Sequence, residues 1–253
     1  MVTASRIKQI KSLSQKKFRK ESGLFVAEGE KVVSELLENV NWEIHQIFAT
    51  DSWLEKYSIP ANIPAEKVSP KDLKRISTLV TPNNVLAVVK IPERIIGNIR
   101  LQKRHTLLLD NIQDPGNFGT ILRTADWFGV ENIICSENTV ELYNPKVIQA
   151  SMGSFMRVNV FYTSPEKFLK SLPSDFPVMG AMLEGENIYQ SNLPKEGLLI
   201  IGNESKGISP DLTKYITHKL EIPLIRQKGK RIFPDSLNAA VASGIILSHL
   251  SKH

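Results

Sequence analysis

The chain has 253 residues, 42% hydrophobic and 23% charged, which suits a globular protein with a core large enough for one or two domains. A single cysteine, Cys135, excludes an internal disulfide framework and a multi-cysteine zinc site, and no run approaches the roughly 20 apolar residues of a membrane-spanning helix. The formal charge of +6 suits a polyanionic partner.

Residues 1–20 carry Arg6, Lys8, Lys11, Lys16, Lys17, Arg19 and Lys20 and no acid. Clustered cations of this kind either bind a phosphate backbone without reading its sequence or keep a surface solvated. The stretch lacks the apolar segment of a secretory signal, so the cytoplasm is the expected compartment. Leu24 to Ala27 reads as a short buried strand, followed by a helix with Val32, Val33, Leu36, Leu37 and Val40 on one face. Ile44 to Ala49 is a further strand. Ser69-Pro70 opens a helix bearing Leu73, Ile76 and Leu79, and Val85 to Val89 is a β-branched strand. These elements make residues 1–95 a small α/β unit, with a polar linker over 92–104.

From Thr106 onward strands and helices alternate. The strands are expected at 106–110, 132–135, 158–162, 177–182, 198–202 and 219–222, and the helices at 118–128, 145–152, 165–172, 210–216 and 236–250. Such alternation predicts an α/β domain built on a mostly parallel, covered sheet. Cys135 lies in the apolar run Asn132-Ile133-Ile134-Cys135 and reads as a small buried residue.

Three loops follow predicted strands and open toward helices, where open α/β sheets hold ligands. In the first, Asp110 to Gly119, Asn117 and Arg123 fall near a helix start, where a guanidinium fork and the helix dipole favour an anion. A capping Asn and a surface Arg would give the same pattern. The second, Gly202-Asn203-Glu204-Ser205-Lys206-Gly207, spaces its glycines like a P-loop. Ile208 stands where that motif needs Lys, and Glu204 would repel a triphosphate. A cationic ligand without phosphate fits better, and a plain tight turn remains the alternative. The third joins Ile222-Pro223-Leu224 through a basic stretch with Arg226, Lys228, Lys230 and Arg231 to Ser236-Leu237-Asn238. Ser236 is a suitable N-cap for a final helix rich in Ala, Ser and Gly. The five histidines show no metal-ligand spacing, and there is no Gly-x-Ser-x-Gly or Gly-x-Gly-x-x-Gly element, so no metal is expected.

Taken in order, the three loops resemble a known family. Asn117-Phe118-Gly119-Thr120-Ile121-Leu122-Arg123 resembles the Asn-x-Gly-x-x-x-Arg motif of the SpoU/TrmH RNA 2′-O-ribose methyltransferases of the SPOUT superfamily. Gly202 to Gly207 resembles the second motif, and Ile222-Pro223-Leu224 with Ser236-Leu237-Asn238 the third. The resemblance implies a trefoil-knotted methyltransferase domain over 105–253, preceded over 1–95 by an L30e-like domain that binds the RNA substrate. It implies S-adenosylmethionine held at Ala181, Met182, Gly202, Asn203, Gly207, Ile222, Leu224 and Leu237. It makes Arg123 the catalytic residue, supported by Asn117, Glu204, Ser236 and Asn238, in a homodimer. A guanidinium keeps its proton in water, so a grip on phosphate and on a developing alkoxide is the expected role rather than base. Lys16, Lys17 and Arg19, with Arg226, Lys228, Lys230 and Arg231, are expected RNA contacts, and ribosomal RNA is favoured over transfer RNA.

The chain departs from much of the family at Leu224, where Met is common, and in the longer basic segment from Ile225 to Asp235. Three rival readings stay open: a non-catalytic RNA-binding protein on the same fold, a knotted enzyme that methylates a base, and a P-loop NTPase.

Overall fold

The structure, a computed structural model, describes residues 2–95, 99, 101, 104–224 and 235–251, so Arg226, Lys228, Lys230 and Arg231 lie outside the described residues. The chain forms two compact units, Met1–Glu93 with Glu141–Met156 and Arg94–Val140 with Arg157–His253.

In the first unit, the basic segment forms two helices, where the sequence pattern predicted no element. Helix α1 (Ala4–Ser12) is capped by Thr3, and α2 (Lys16–Ser22) ends at Gly23, whose φ of 66° needs a residue without Cβ strain. Few apolar side chains hold them: Val2, Ile10 and Leu13 enter a core with Phe48, Leu73 and Val88. The mixed sheet has the order β1-β4-β2-β3, where β1 is Leu24–Glu28, β2 Ile44–Ala49, β3 Ala65–Lys67 and β4 Val85–Lys90. Strand β4 pairs antiparallel with β1 and β2, and β3 runs parallel to β2.

Helix α3 (Glu30–Glu38) buries Val32, Val33 and Leu36 as its spacing predicts, but it stops before Val40, which is 97% exposed rather than part of the apolar face. After the short α4 (Asp51–Leu54), α5 (Pro70–Ile76) starts on the predicted Ser69 cap with Pro at its first turn. It ends where Glu28 accepts hydrogen bonds from the Ser77 and Thr78 hydroxyls and the Thr78 N–H, so Leu79 falls beyond it.

The later segment with α7 (Pro145–Ser151) and a 3-10 turn at Ser154–Met156 also folds into this unit. Phe155 packs edge-on against Phe25 at 5.8 Å and Trp42 at 5.2 Å. Arg19, expected to face RNA, is instead 2% exposed: it pairs with Glu141 and donates to the Leu13 carbonyl at 2.7 Å. Its charge is consumed inside the fold, because a guanidinium this deep must meet a carboxylate to be tolerated. Arg19→Ala should lower unfolding free energy by about 3 kcal/mol in urea titration, because it strands Glu141; a change under about 1 kcal/mol would contradict the pairing.

The second unit holds a six-stranded sheet of order β10-β8-β9-β5-β6-β7 in which every neighbouring pair is parallel. Its strands are β5 (His105–Leu109), β6 (Asn132–Cys135), β7 (Asn159–Tyr162), β8 (Val178–Asn187), β9 (Gly197–Ile201) and β10 (His218–Glu221). Leu107 to Leu109 and Leu198 to Ile201 are buried throughout, as unbroken apolar runs must be when both sheet faces are covered. Cys135 is fully buried, which pushes its thiol well above the usual range and leaves it inert.

Helices α6 (Pro115–Trp127), α8 (Pro165–Lys170), α9 (Pro210–Thr213) and α10 (Ala239–Leu250) complete the unit, with α10 packed on α6. Helix α6 begins earlier than predicted because Asp114 caps it and Pro115 takes the first position. Helix α10 begins later: Asn238, not Ser236, is its cap, accepting from the N–H groups of Ala240 and Val241.

Candidate functional site

Because the six strands are parallel, their carboxyl ends line one edge of the sheet. Asp110 follows β5, Ser136 follows β6, Gly202 follows β9 and Ile222 follows β10. The chain runs outward from β5 through β6 to β7, then returns to the other side of β5 to lay down β8, β9 and β10. The β5/β9 boundary is therefore the switch point, where an open parallel sheet leaves a crevice.

The loops beyond that boundary are tied by side-chain amides. Asn238 Nδ2 donates to Asn117 Oδ1 at 2.8 Å, and Asn117 Nδ2 donates to Glu204 Oε1 at 2.7 Å. Asn203 Nδ2 donates to the Asn111 carbonyl at 2.8 Å and, at 3.4 Å, to Glu204 Oε2. One continuous relay thus joins all three sequence motifs. Asn117 does not cap α6; it sits in the first turn, its N–H held by Asp114 and its amide aimed across the site.

The Gly202–Gly207 loop is a tight turn closed by reciprocal backbone hydrogen bonds between Asn203 and Gly207 at 3.0 and 2.9 Å. Asn203 Oδ1 accepts from the Ser205 and Lys206 N–H groups and fixes the turn from within. A Cβ on Gly202 would lie 2.2 Å from the Gly207 carbonyl carbon and 2.3 Å from the Ile208 nitrogen, so only glycine fits. Gly207 is required for a different reason, its φ of +68°.

Two residues that the motifs did not flag anchor the arrangement. Asp110 is 2% exposed, and its carboxylate accepts from the Ser209 N–H and the Asn111 amide, each at 2.7 Å. Asn111 holds a left-handed backbone, φ 58°, which Asn tolerates better than most side chains. Its N–H is taken by Ser136 Oγ at 2.9 Å, so this one position links the ends of β5, β6 and β9. A short polar pair directly after a buried Leu run was the available signal.

Ala181 and Met182 are half-buried at a break in β8: Gly180 still pairs with β9, whereas residues 181–185 bulge away between the two registers of β10. Ile222 is half-buried just past β10, while Leu224 and Leu237 are 50% and 46% exposed on either side of the segment outside the described residues. Arg123 is exposed in the third turn of α6, and among the described residues it makes no hydrogen bond or ion pair. Its position past two full turns removes the expected help from the helix N-terminus, so any anion binding there rests on the guanidinium itself. Ser236 is exposed and precedes the cap. Lys16 and Lys17 are exposed on α2 in the first unit.

Edge loops built from backbone groups, amides, the half-buried Glu204 carboxylate and the buried Asp110 carboxylate offer acceptors to a cationic or uncharged ligand and no phosphate cradle. No cluster of three potential metal-ligating side chains occurs among the described residues, and no helix among them is long and apolar enough to cross a membrane.

The chain is similar to known proteins over both its N-terminal and C-terminal segments. Residues 104–248 match the SpoU rRNA Methylase family, and residues 4–87 match the MRM3-like substrate binding domain. A 23S rRNA (guanosine(2553)-2′-O)-methyltransferase of Bacillus subtilis is 29% identical over 97% of this chain and 95% of its own length. Among solved structures, a TrmH-family protein from Porphyromonas gingivalis has a TM-score of 0.85 at 35% identity, covering 99% of this chain and 98% of that one. An AdoMet-bound rRNA methyltransferase from Sinorhizobium meliloti has a TM-score of 0.87 at 26% identity, covering 100% and 97%.

Proposed function

The chain belongs to the SpoU rRNA methylase family, and from that membership we propose that it transfers a methyl group from S-adenosylmethionine to a ribose 2′-hydroxyl of ribosomal RNA. The observation that carries the reading is the amide relay Asn238–Asn117–Glu204, which assembles the three family motifs at the carboxyl edge of the parallel sheet.

The residues present fit the cofactor. Glu204 brings a half-buried carboxylate to the edge, and the exposed Leu224 and Leu237 offer apolar surface for a flat ring. Ala181, Met182, Gly202, Asn203, Gly207 and Ile222 would complete the holding set through strand-end and loop backbone. When bound, S-adenosylmethionine supplies a sulfonium-borne methyl group open to displacement by the ribose oxygen. Arg123 would grip the neighbouring phosphate and stabilise the alkoxide that develops at O2′ as the hydroxyl proton passes to water. Asn117, Glu204 and Asn238 hold the loops in register, and Ser236 borders the site.

The knot belongs to the same reading. Strand β10 closes one sheet edge, while α10 packs on α6, the helix that follows the central β5, and this placement supports a threaded C-terminal segment. We assign residues 1–95 to RNA binding as an L30e-like domain, residues 105–253 to the methyltransferase domain, a homodimer as the working form, and the cytoplasm as its compartment. Arg226, Lys228, Lys230 and Arg231 are assigned to the RNA backbone from their charge alone.

Incubation with methyl-labelled S-adenosylmethionine and total RNA from a strain lacking the gene should label a large ribosomal RNA. Label confined to transfer RNA would overturn the substrate assignment, and tight RNA binding without cofactor binding would favour a non-catalytic protein.

A further inference from the structure

We propose that the first unit carries a pocket for a single unstacked RNA base, formed between α1, α2 and the sheet. The proposal rests on the reading of this chain as an RNA-modifying protein and names a contact that reading leaves unspecified.

The cavity measures about 300 Å³ and is lined by Arg6, Gln9, Phe18, Glu21, Gln46 and Phe48 among others. That volume lies at the small end of ligand pockets and is ample for one flat heterocycle. Its apolar part joins the half-buried Phe18 and the buried Phe48 to aliphatic side chains such as Ile10 and Leu13. Its polar part, the Gln9 and Gln46 amides and the Glu21 carboxylate, offers the donors and acceptors that a Watson–Crick edge needs.

Arg6 is held rather than loose. Nη1 donates to Glu66 at 3.2 Å, Nη2 donates to Gln46, and the guanidinium lies 5.5 Å from the centre of the Phe48 ring. A guanidinium fixed in this way is a flat cationic surface on which a base stacks. Glu21 offsets Arg6 in the lining, so the cavity carries no surplus positive charge to draw a phosphate inside. The phosphates have their own partners outside: Lys8, Lys11, Lys16 and Lys20 are exposed on the same two helices and make no ion pair among the described residues. A free metabolite would use one such cation; a row of them suits a strand that runs past and turns one base inward.

The test uses the full chain and two fluorescent probes, a short single-stranded RNA of mixed sequence and an abasic strand of equal length and charge. Anisotropy titration should show the base-bearing strand bound about tenfold more tightly. Phe18→Ala should abolish that preference, and so should Ser22→Trp, which fills the mouth of the cavity from an exposed position. Lys16→Glu with Lys20→Glu should weaken both strands together and reduce their salt dependence. Equal affinity for the two strands, no binding of either, or a preference that survives both Phe18→Ala and Ser22→Trp would overturn the pocket. Calorimetry with S-adenosylmethionine on the same proteins separates the two claims: cofactor binding without base preference sinks only the pocket, and its absence sinks the enzyme reading.

Discussion

Arg123→Ala should lower the single-turnover rate of methyl transfer by about 100- to 1000-fold, the usual cost of removing one donor from a developing oxyanion. S-adenosylmethionine affinity should stay within about twofold, since a group used only in the transition state adds little to ground-state binding. The structure makes this a clean substitution. Arg123 is exposed and has no partner among the described residues, whereas α6 is anchored by Phe118, Ile121, Leu122 and Ala125 on its other faces. Arg123→Lys should recover part of the rate, because it keeps the charge and loses the planar fork. A wild-type rate in the alanine variant would remove Arg123 from the mechanism.

The second large effect is expected at Gly202. Gly202→Ala places a methyl group against the Gly207 carbonyl carbon and the Ile208 nitrogen, and backbone atoms cannot swing away as a side chain can. Overpacking of this kind costs about 1–3 kcal/mol, or roughly 5- to 150-fold in cofactor affinity if the loop must open to relieve it. Gly207→Ala meets no atom within 4 Å and strains only the backbone at φ +68°, so its loss should be the smaller. Calorimetric titration of both variants decides the matter; equal losses would mean that the turn as a whole, and not the contact at Gly202, sets the affinity.

Much of the second unit was legible because its strands are unbroken apolar runs separated by Pro and Gly turns. The strand over Asn132–Cys135 and the cap at Ser69 follow from local chemistry, whereas Ser236 is an equally good cap by residue type and the helix starts on Asn238 instead. What local chemistry could not indicate depends on distant partners. Helices α1 and α2 are rich in lysine and secured by few apolar residues, so their sequence showed a cation cluster and no helical apolar face. Arg19 resembled an RNA contact until Glu141, 122 positions away, was seen to neutralise it. Helix α7 was expected as a helix, but its place beside the first sheet depends on Phe25 and Trp42 meeting Phe155. At the site, the three motifs were readable one by one, whereas the amide relay joining them and the buried Asp110 beneath it emerge only when β5 and β9 lie side by side.

The central claim is methylation of a ribose through Arg123, and the most direct test locates the transferred group. RNA labelled by the wild-type protein is digested to nucleosides, beside an Arg123→Ala control. The account predicts label in one 2′-O-methylnucleoside from ribosomal RNA, absent from the control. Label in a base-methylated nucleoside, or undiminished in the control, would contradict it.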